Sequence, residues 1–188
     1  FPFGWDEIEG IHHRGTWDMS QHAKFSGDKP ACSIYDPETK ESRFPTVVET
    51  SCGLDRICLM LLCNSYEEDT AATKKLDKDE DVRVVLRLPA LVAPVQAAVL
   101  PLSKKLEASA REVLATLRAN DIRSDYDDSG SIGKRYRRQD EIGTPFCVTY
   151  DFDSENDHAV TVRDRDTMQQ ERIPIAELPM RLFARIHA

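Results

Sequence analysis

Glu49-Thr50-Ser51-Cys52-Gly53-Leu54-Asp55-Arg56 is a junction: an apolar strand carrying an acid and a hydroxyl runs into a glycine, and an arginine opens an apolar helix. The first turn of a helix presents unbonded N–H groups and the positive end of the dipole, so Arg56 there costs stability unless an anion stands against it. Asp55 offsets part of that cost. Gly53 lets a ligand approach the backbone closely, and an anionic ligand such as a phosphate would account for the arginine. The plainer reading, a cap and an ion pair, stays open. Two features weigh against it: carboxylates on an apolar strand face are costly to bury unpaired, and the Ile57 to Cys63 run is too apolar to be solvated all round.

Upstream, Trp5-Asp6-Glu7-Ile8-Glu9-Gly10-Ile11 alternates as a strand should, with Trp5, Glu7 and Glu9 on one face and Ile8 on the other. A polar excursion runs from His12 to Lys40 and contains Pro30 and the turn Asp36-Pro37-Glu38-Thr39. Extended structure resumes from Phe44 to Glu49, with Val47, Glu49 and Ser51 pointing the same way. Downstream, the charge-dense stretch from Glu67 to Asp81 lacks apolar periodicity and reads as a loop leading to a linker, so domains are expected over 1–80 and 81–188. The second half alternates: strands at Val82 to Leu88 and Val95 to Leu100, a helix from Leu106 to Leu117, a short strand at Ile122 to Tyr126, and a charged helix from Ile132 to Glu141. Strands at Phe146 to Tyr150 and Ala159 to Arg163 and a closing helix from Ile175 to Ile186 complete an α/β unit with a mixed sheet.

A length of 188 residues with 40% apolar content suits one large or two small domains. No apolar run reaches membrane-span length and no secretory leader pattern opens the chain, so a soluble protein with no membrane partner is expected. Cys32, Cys52, Cys58, Cys63 and Cys147 are odd in number and lack CxxC spacing; buried free thiols in a cytoplasmic protein are the expectation. His12, His13 and His22 have no acid or thiol at ligand spacing, so no metal site is expected. Gly130-Ser131-Ile132-Gly133-Lys134 lacks the full phosphate-loop pattern and follows two aspartates. The net charge of -8 is uneven, with 17 acidic and 10 basic side chains in residues 1–85 against 16 and 15 in residues 86–188. Any polyanion is therefore held by a local basic patch, and Lys134, Arg135, Arg137 and Arg138, with Tyr136 placed to stack, form the dense one; a solvated face is the alternative.

Taken together these stretches resemble the C-terminal portion of homodimeric class II glycyl-tRNA synthetases. Gly4 to Ile11 with Arg14 is similar to that family's glycine-pocket strand, and Glu49 to Arg56 to its motif 3. Asp128 to Phe146 and Val162 to Met168 resemble the class IIa anticodon-binding domain. The resemblance implies an α/β chain: part of the antiparallel-sheet catalytic domain followed by a mixed-sheet anticodon-binding domain. It further implies that Glu49, Thr50, Ser51, Cys52 and Gly53 with Arg14 form the glycine pocket, Glu49 pairing with the ammonium. Glu7, Ile8, Gly53, Leu54, Asp55 and Arg56 would meet ATP, Arg56 holding its terminal phosphate, so Glu49 and Arg56 carry the catalytic roles. Lys134, Arg135, Arg137 and Arg138 would meet tRNA(Gly). Magnesium would accompany ATP, and the full-length parent would be a homodimer.

Motifs 1 and 2 of the class are absent from these residues, Thr50 and Cys52 stand where proline and alanine are common, and the span from Arg14 to Glu49 is short. The chain alone is therefore expected not to activate glycine, the activity residing in a longer parent. Two alternatives remain: a non-catalytic synthetase-like accessory protein that binds nucleic acid, or a sister class IIa synthetase. Retention of Glu49, Ser51 and Arg56 in register speaks against the first, and the Trp5 to Arg14 stretch against the second.

Overall fold

The computed structural model describes residues 1–69 and 82–188, and its contacts separate two compact units, Phe1–Met60 and Leu61–Ala188. In the first unit, strand β1 (Glu9–Gly15) leads to helix α1 (Trp17–Ser26), which Gly27 ends in the left-handed conformation, its N–H returning to the Ala23 carbonyl. Strands β2 (Ile34–Asp36) and β3 (Glu41–Arg43) form a hairpin whose turn is tied by Asp36 Oδ1, which accepts from the Glu38 N–H at 3.0 Å. Strand β4 (Val47–Cys52) pairs antiparallel with β1, setting His12 opposite Glu49 and Gly10 opposite Ser51, and Gly53 passes the chain into helix α2 (Leu54–Ser65). Glu49 and Ser51 thus share a face, as the alternation predicts.

Three expectations for this half are corrected. The strand expected from Trp5 starts at Glu9, because pairing with β4 begins there, while the Glu7 N–H is taken by Asp6 Oδ1 at 2.7 Å; Glu7 and Glu9 do not share a strand face. The polar excursion hides α1 and the β2–β3 hairpin. The stretch read as loop from Glu67 is strand β5 (Tyr66–Asp69), paired antiparallel with β6 (Arg83–Leu86), Asp69 lying opposite Arg83. The rest of the expected linker, 70–81, lies outside the described residues.

The second unit is built on a five-stranded mixed sheet with strands β7 (Ala97–Pro101), β8 (Ser124–Tyr126), β9 (Phe146–Tyr150), β10 (Ala159–Asp164) and β11 (Gln170–Pro174), in the order β11-β10-β9-β7-β8. β7 runs parallel to β8 and β9, while β9, β10 and β11 are antiparallel. β7 and β9 are buried along their whole length, which is why they read as continuous apolar runs. One face carries the main core: Val99, Val148, Val160 and Val162 pack with Val113, Leu114 and Leu117 of helix α3 (Glu107–Ala119). Leu178, Leu182 and Ile186 of the closing helix join the same core. The other face holds Ala98, Leu100 and Cys147 against Ile132 and Tyr136 of helix α4 (Ile132–Glu141). Between β9 and β10 lies the short helix α5 (Ser154–Asp157), and the closing helix α6 (Leu178–Ile186) starts three residues later than expected, with Pro179 in its first turn. Gly143 ends α4 at φ +83°; a Cβ there would lie 2.9 Å from Leu88 Cδ1 and 3.1 Å from the Leu86 carbonyl oxygen, so the position requires glycine.

Candidate functional site

In the first unit the two charged residues of the junction each have a partner on the β1 side. Arg14 Nε donates to Glu49 Oε2 at 2.5 Å, and Arg56 Nη1 donates to Asp6 Oδ1 at 3.0 Å and to the Glu7 carbonyl. The anion that Arg56 requires is therefore supplied by Asp6, a partner the sequence did not single out. All four side chains are at least one-third exposed. Water screens exposed pairs of this kind and leaves them weak, so an incoming anion or ammonium displaces either at low cost. Arg56 keeps its Nε–H and Nη2 donors without partners among the described residues, and Glu49 keeps Oε1. The Arg14 hydrogen bond holds the Glu49 carboxyl below its ordinary range, with the charge of His12 adding to it, so Glu49 is ionised at neutral pH.

Around this pair, Thr50, Ser51, Cys52, Gly53, Leu54 and Asp55 are exposed, and Ile8 lies just before β1. Gly10 is buried beneath the His12 side chain: a Cβ on Gly10 would fall 2.4 Å from His12 Nε2. No sequence signal reveals that His12 stands across from Glu49, because the pairing spans 37 positions. Magnesium, which the resemblance brings with ATP, finds no cluster of three His, Cys, Asp or Glu side chains among the described residues.

In the second unit the basic helix divides sharply. Arg135 is 6% exposed and donates to the carbonyls of Gly130 at 2.8 Å and Pro101 at 2.5 Å, which removes it from any surface patch. Arg138 forks onto the Asp127 carboxylate at 2.7 and 2.9 Å and reaches the Ser129 carbonyl. Tyr136, expected to stack on a base, faces inward: its hydroxyl meets Thr149 Oγ1 at 2.7 Å and the Arg163 guanidinium lies over its ring. Lys134 is exposed and Arg137 half-exposed, and neither has an ion-pair partner among the described residues.

Asp140, on the same helix, turns into the fold. It sits 1% exposed between two arginines, accepting from Arg163 Nη1 and Nη2 at 2.9 and 3.1 Å and from Arg83 Nε at 2.9 Å. Arg83 continues to Asp69 at 2.9 Å and to the Arg165 carbonyl at 2.6 Å. Arg165 is itself buried and donates to the Gly143 carbonyl at 2.8 Å. Arg83, Arg163 and Arg165 of this half therefore fasten the β5–β6 pair, α4 and the sheet together. The five cysteines are free, as expected, but only Cys147 is buried; Cys32 is half-buried, and Cys52, Cys58 and Cys63 are exposed. Among the described residues no helix is long and apolar enough to cross a membrane.

Residues 96–184 match the anticodon binding domain family. Over 178 residues, 95% of its length, the chain is 53% identical to a glycine–tRNA ligase of Lachnospira eligens and 52% identical to one of Bacillus cereus, spanning 37% of each. It is 51% identical to a glycine–tRNA ligase of Caldanaerobacter subterraneus subsp. tengcongensis, spanning 36% of it. The chain thus covers little more than a third of the length of these curated relatives. By these matches the chain is similar to the C-terminal third of glycine–tRNA ligases over 178 residues, and its residues 96–184 match the anticodon binding domain family.

Proposed function

We propose that this chain is the C-terminal portion of a glycine–tRNA ligase, contributing part of the site that activates glycine with ATP, within 1–80, and the domain that reads tRNA(Gly), within 81–188. The observation that carries the reading is the Glu49 and Ser51 face of β4, with an ionised carboxylate already oriented by Arg14 and one oxygen still without a partner among the described residues. A glycine ammonium takes that oxygen by a charge-assisted bond, with Thr50, Cys52 and Gly53 closing the strand end of the pocket. Arg56 offers its remaining N–H donors to the terminal phosphate, while Glu7, Ile8, Gly53, Leu54 and Asp55 line the nucleotide. The glycine carboxylate oxygen attacks the α-phosphorus, the α–β bridging bond breaks and pyrophosphate leaves; the terminal ribose hydroxyl of tRNA then displaces AMP from the glycyl-adenylate. Arg56 gathers the charge of the leaving pyrophosphate. On the tRNA side Lys134, Arg137 and Arg138 are the contacts proposed, Arg138 holding Asp127 by a pair as exposed on its own side as that of Arg56, while Arg135 is buried on the carbonyls of Pro101 and Gly130. The parent would work as a homodimer in the cytoplasm.

The test is glycine-dependent ATP–pyrophosphate exchange by the full-length protein that contains this chain. Glu49→Ala and Arg56→Ala are each expected to lower the exchange rate by ~100-fold or more. Wild-type exchange rates in both variants would overturn the assignment.

A further inference from the structure

Gly10, His12, Glu49 and Ser51 form a two-by-two square on one face of the β1–β4 pair: Gly10 opposite Ser51, His12 opposite Glu49. Directly opposite residues on a sheet face hold their Cβ positions about 4.5–5.5 Å apart, so all four reach the same small volume above the strands. The His12 ring does not stand upright from this square. It lies down over Gly10, as the distances from a hypothetical Gly10 Cβ show: 2.4 Å to Nε2, 3.1 Å to Cε1 and 3.2 Å to Cδ2. Only a residue without a side chain beneath the ring permits that posture, and Gly10 is buried by it.

The consequence falls on the ligand. An ammonium bonded to Glu49 and Ser51 has its Cα above the square, and the quadrant next to Ser51 is already filled by the imidazole. We propose that His12 is a specificity-determining residue, whose ring lying over Gly10 is the wall that leaves room for a Cα bearing two hydrogens and none for a methyl group. This rests on the glycine-pocket reading of Glu49 and Ser51 and adds to it a residue and a role. The chemistry demands such a wall. A site for the smallest amino acid gains nothing from side-chain contacts and must discriminate by exclusion, and one methyl group is worth about 10–200-fold in a closed pocket. Arg14 and Glu49 are polar groups that orient the ligand but, pointing at each other, do not fill space on the Ser51 side.

The experiment is amino-acid-dependent ATP–pyrophosphate exchange by the full-length protein with glycine and with alanine, in wild type, His12→Ala, Gly10→Ala, the double variant and Glu49→Ala. His12→Ala is expected to lower the glycine-to-alanine ratio of kcat/KM by at least ~10-fold. A purely structural loss would lower both substrates together and leave that ratio unchanged, which would overturn the proposal. Gly10→Ala pushes the ring up into the ligand volume and is expected to raise the KM for glycine; in the His12→Ala background the same methyl group is expected to have no such effect. An equal effect in both backgrounds would also overturn it. Should exchange be lost in Glu49→Ala while His12→Ala leaves the ratio untouched, only the wall falls. Should glycine-dependent exchange be absent from wild type or survive Glu49→Ala, the pocket reading falls, and the wall with it.

Discussion

At the scale of single residues, the most demanding group is Asp140, a carboxylate removed from water and shared by Arg83 and Arg163. Burying three charges is costly, and the arrangement is tolerable only because each oxygen is met by fork-shaped guanidinium donors. Replacing Asp140 with Asn removes the negative charge, leaving Arg83 with Asp69 alone and Arg163 facing a neutral amide. A loss of about 3–5 kcal/mol is expected, read as a fall in the midpoint of urea unfolding of the second unit, and a change below about 1 kcal/mol would contradict the role given to the network. Cys147 makes a separate prediction. Burial pushes its thiol up to about 12, with Arg163 pulling weakly the other way. A raised value means the folded state keeps the proton that the unfolded chain gives up. Its contribution is complete below the unfolded thiol's pKa of about 8.5 and is lost progressively from there towards 12 as pH rises. At pH 8, iodoacetamide should therefore label Cys52, Cys58 and Cys63, which are exposed, and spare Cys147 until the chain is unfolded. Mass spectrometry of the native protein showing labelled Cys147 would refute this. None of this network is legible in the sequence, where Asp140 looks like one more charge on a helix, because its partners come from 57 positions upstream and 23 downstream.

At the scale of elements, legibility followed burial. Helix α4 and strand β9 have the bounds that periodicity predicts, and every apolar position read on α3 is buried in the main core. Leu117 is fully buried there, and Leu117→Ala should cost about 2–5 kcal/mol in the same urea titration. Elements that bury little left little pattern. α1 buries only Ala23 and so leaves no apolar stripe to read, although Thr16 before it and Gly27 after it are of the types that bound helices. β11 is an edge strand with one fully buried side chain, Ile173, among charged neighbours. β5 consists of a tyrosine and three acids, and is a strand because Arg83 and Arg87 of the β6 segment meet those acids. The outer face of α4 carries the remaining prediction for tRNA. If Lys134 and Arg137 each neutralise a phosphate, replacing either with Ala should weaken binding and reduce the slope of log K against log salt by about 0.7 for a single-stranded target. A slope unchanged in the double variant would remove this helix from the interface, whereas Arg135→Ala is expected to act on stability through its bonds to Pro101 and Gly130.

At the scale of the molecule, the two units differ in how much they bury. Among residues 1–60 only Gly10 and Ala23 are buried, and Trp17 and Phe25 are 64% and 81% exposed, as are Ile11, Val48 and Leu54 to a similar degree. Apolar burial supplies most of what offsets chain entropy, so the β1–β4 pair has little to hold it closed beyond its ladder and two exposed ion pairs. The second unit has a continuous core on one side of its sheet and a smaller one on the other. Local opening free energies range from near zero up to that of global unfolding, according to how much packed surface an opening must break. In the 188-residue chain by itself, amide hydrogen exchange should therefore be fast across Glu9–Gly15 and Val47–Cys52. It should be slower by ~1000-fold or more at the centre of Ala97–Pro101, Phe146–Tyr150 and Ala159–Asp164, a difference of about 4 kcal/mol in opening free energy. The same physics explains why the residues offered for glycine and ATP are exposed here while Arg83, Arg135, Arg163 and Arg165 are not: the first belong to a unit with little buried apolar surface, the second pack around a sheet covered on both faces. Equal protection in the two sheets would mean that the first unit draws its stability from something other than buried apolar surface, and would undo that explanation.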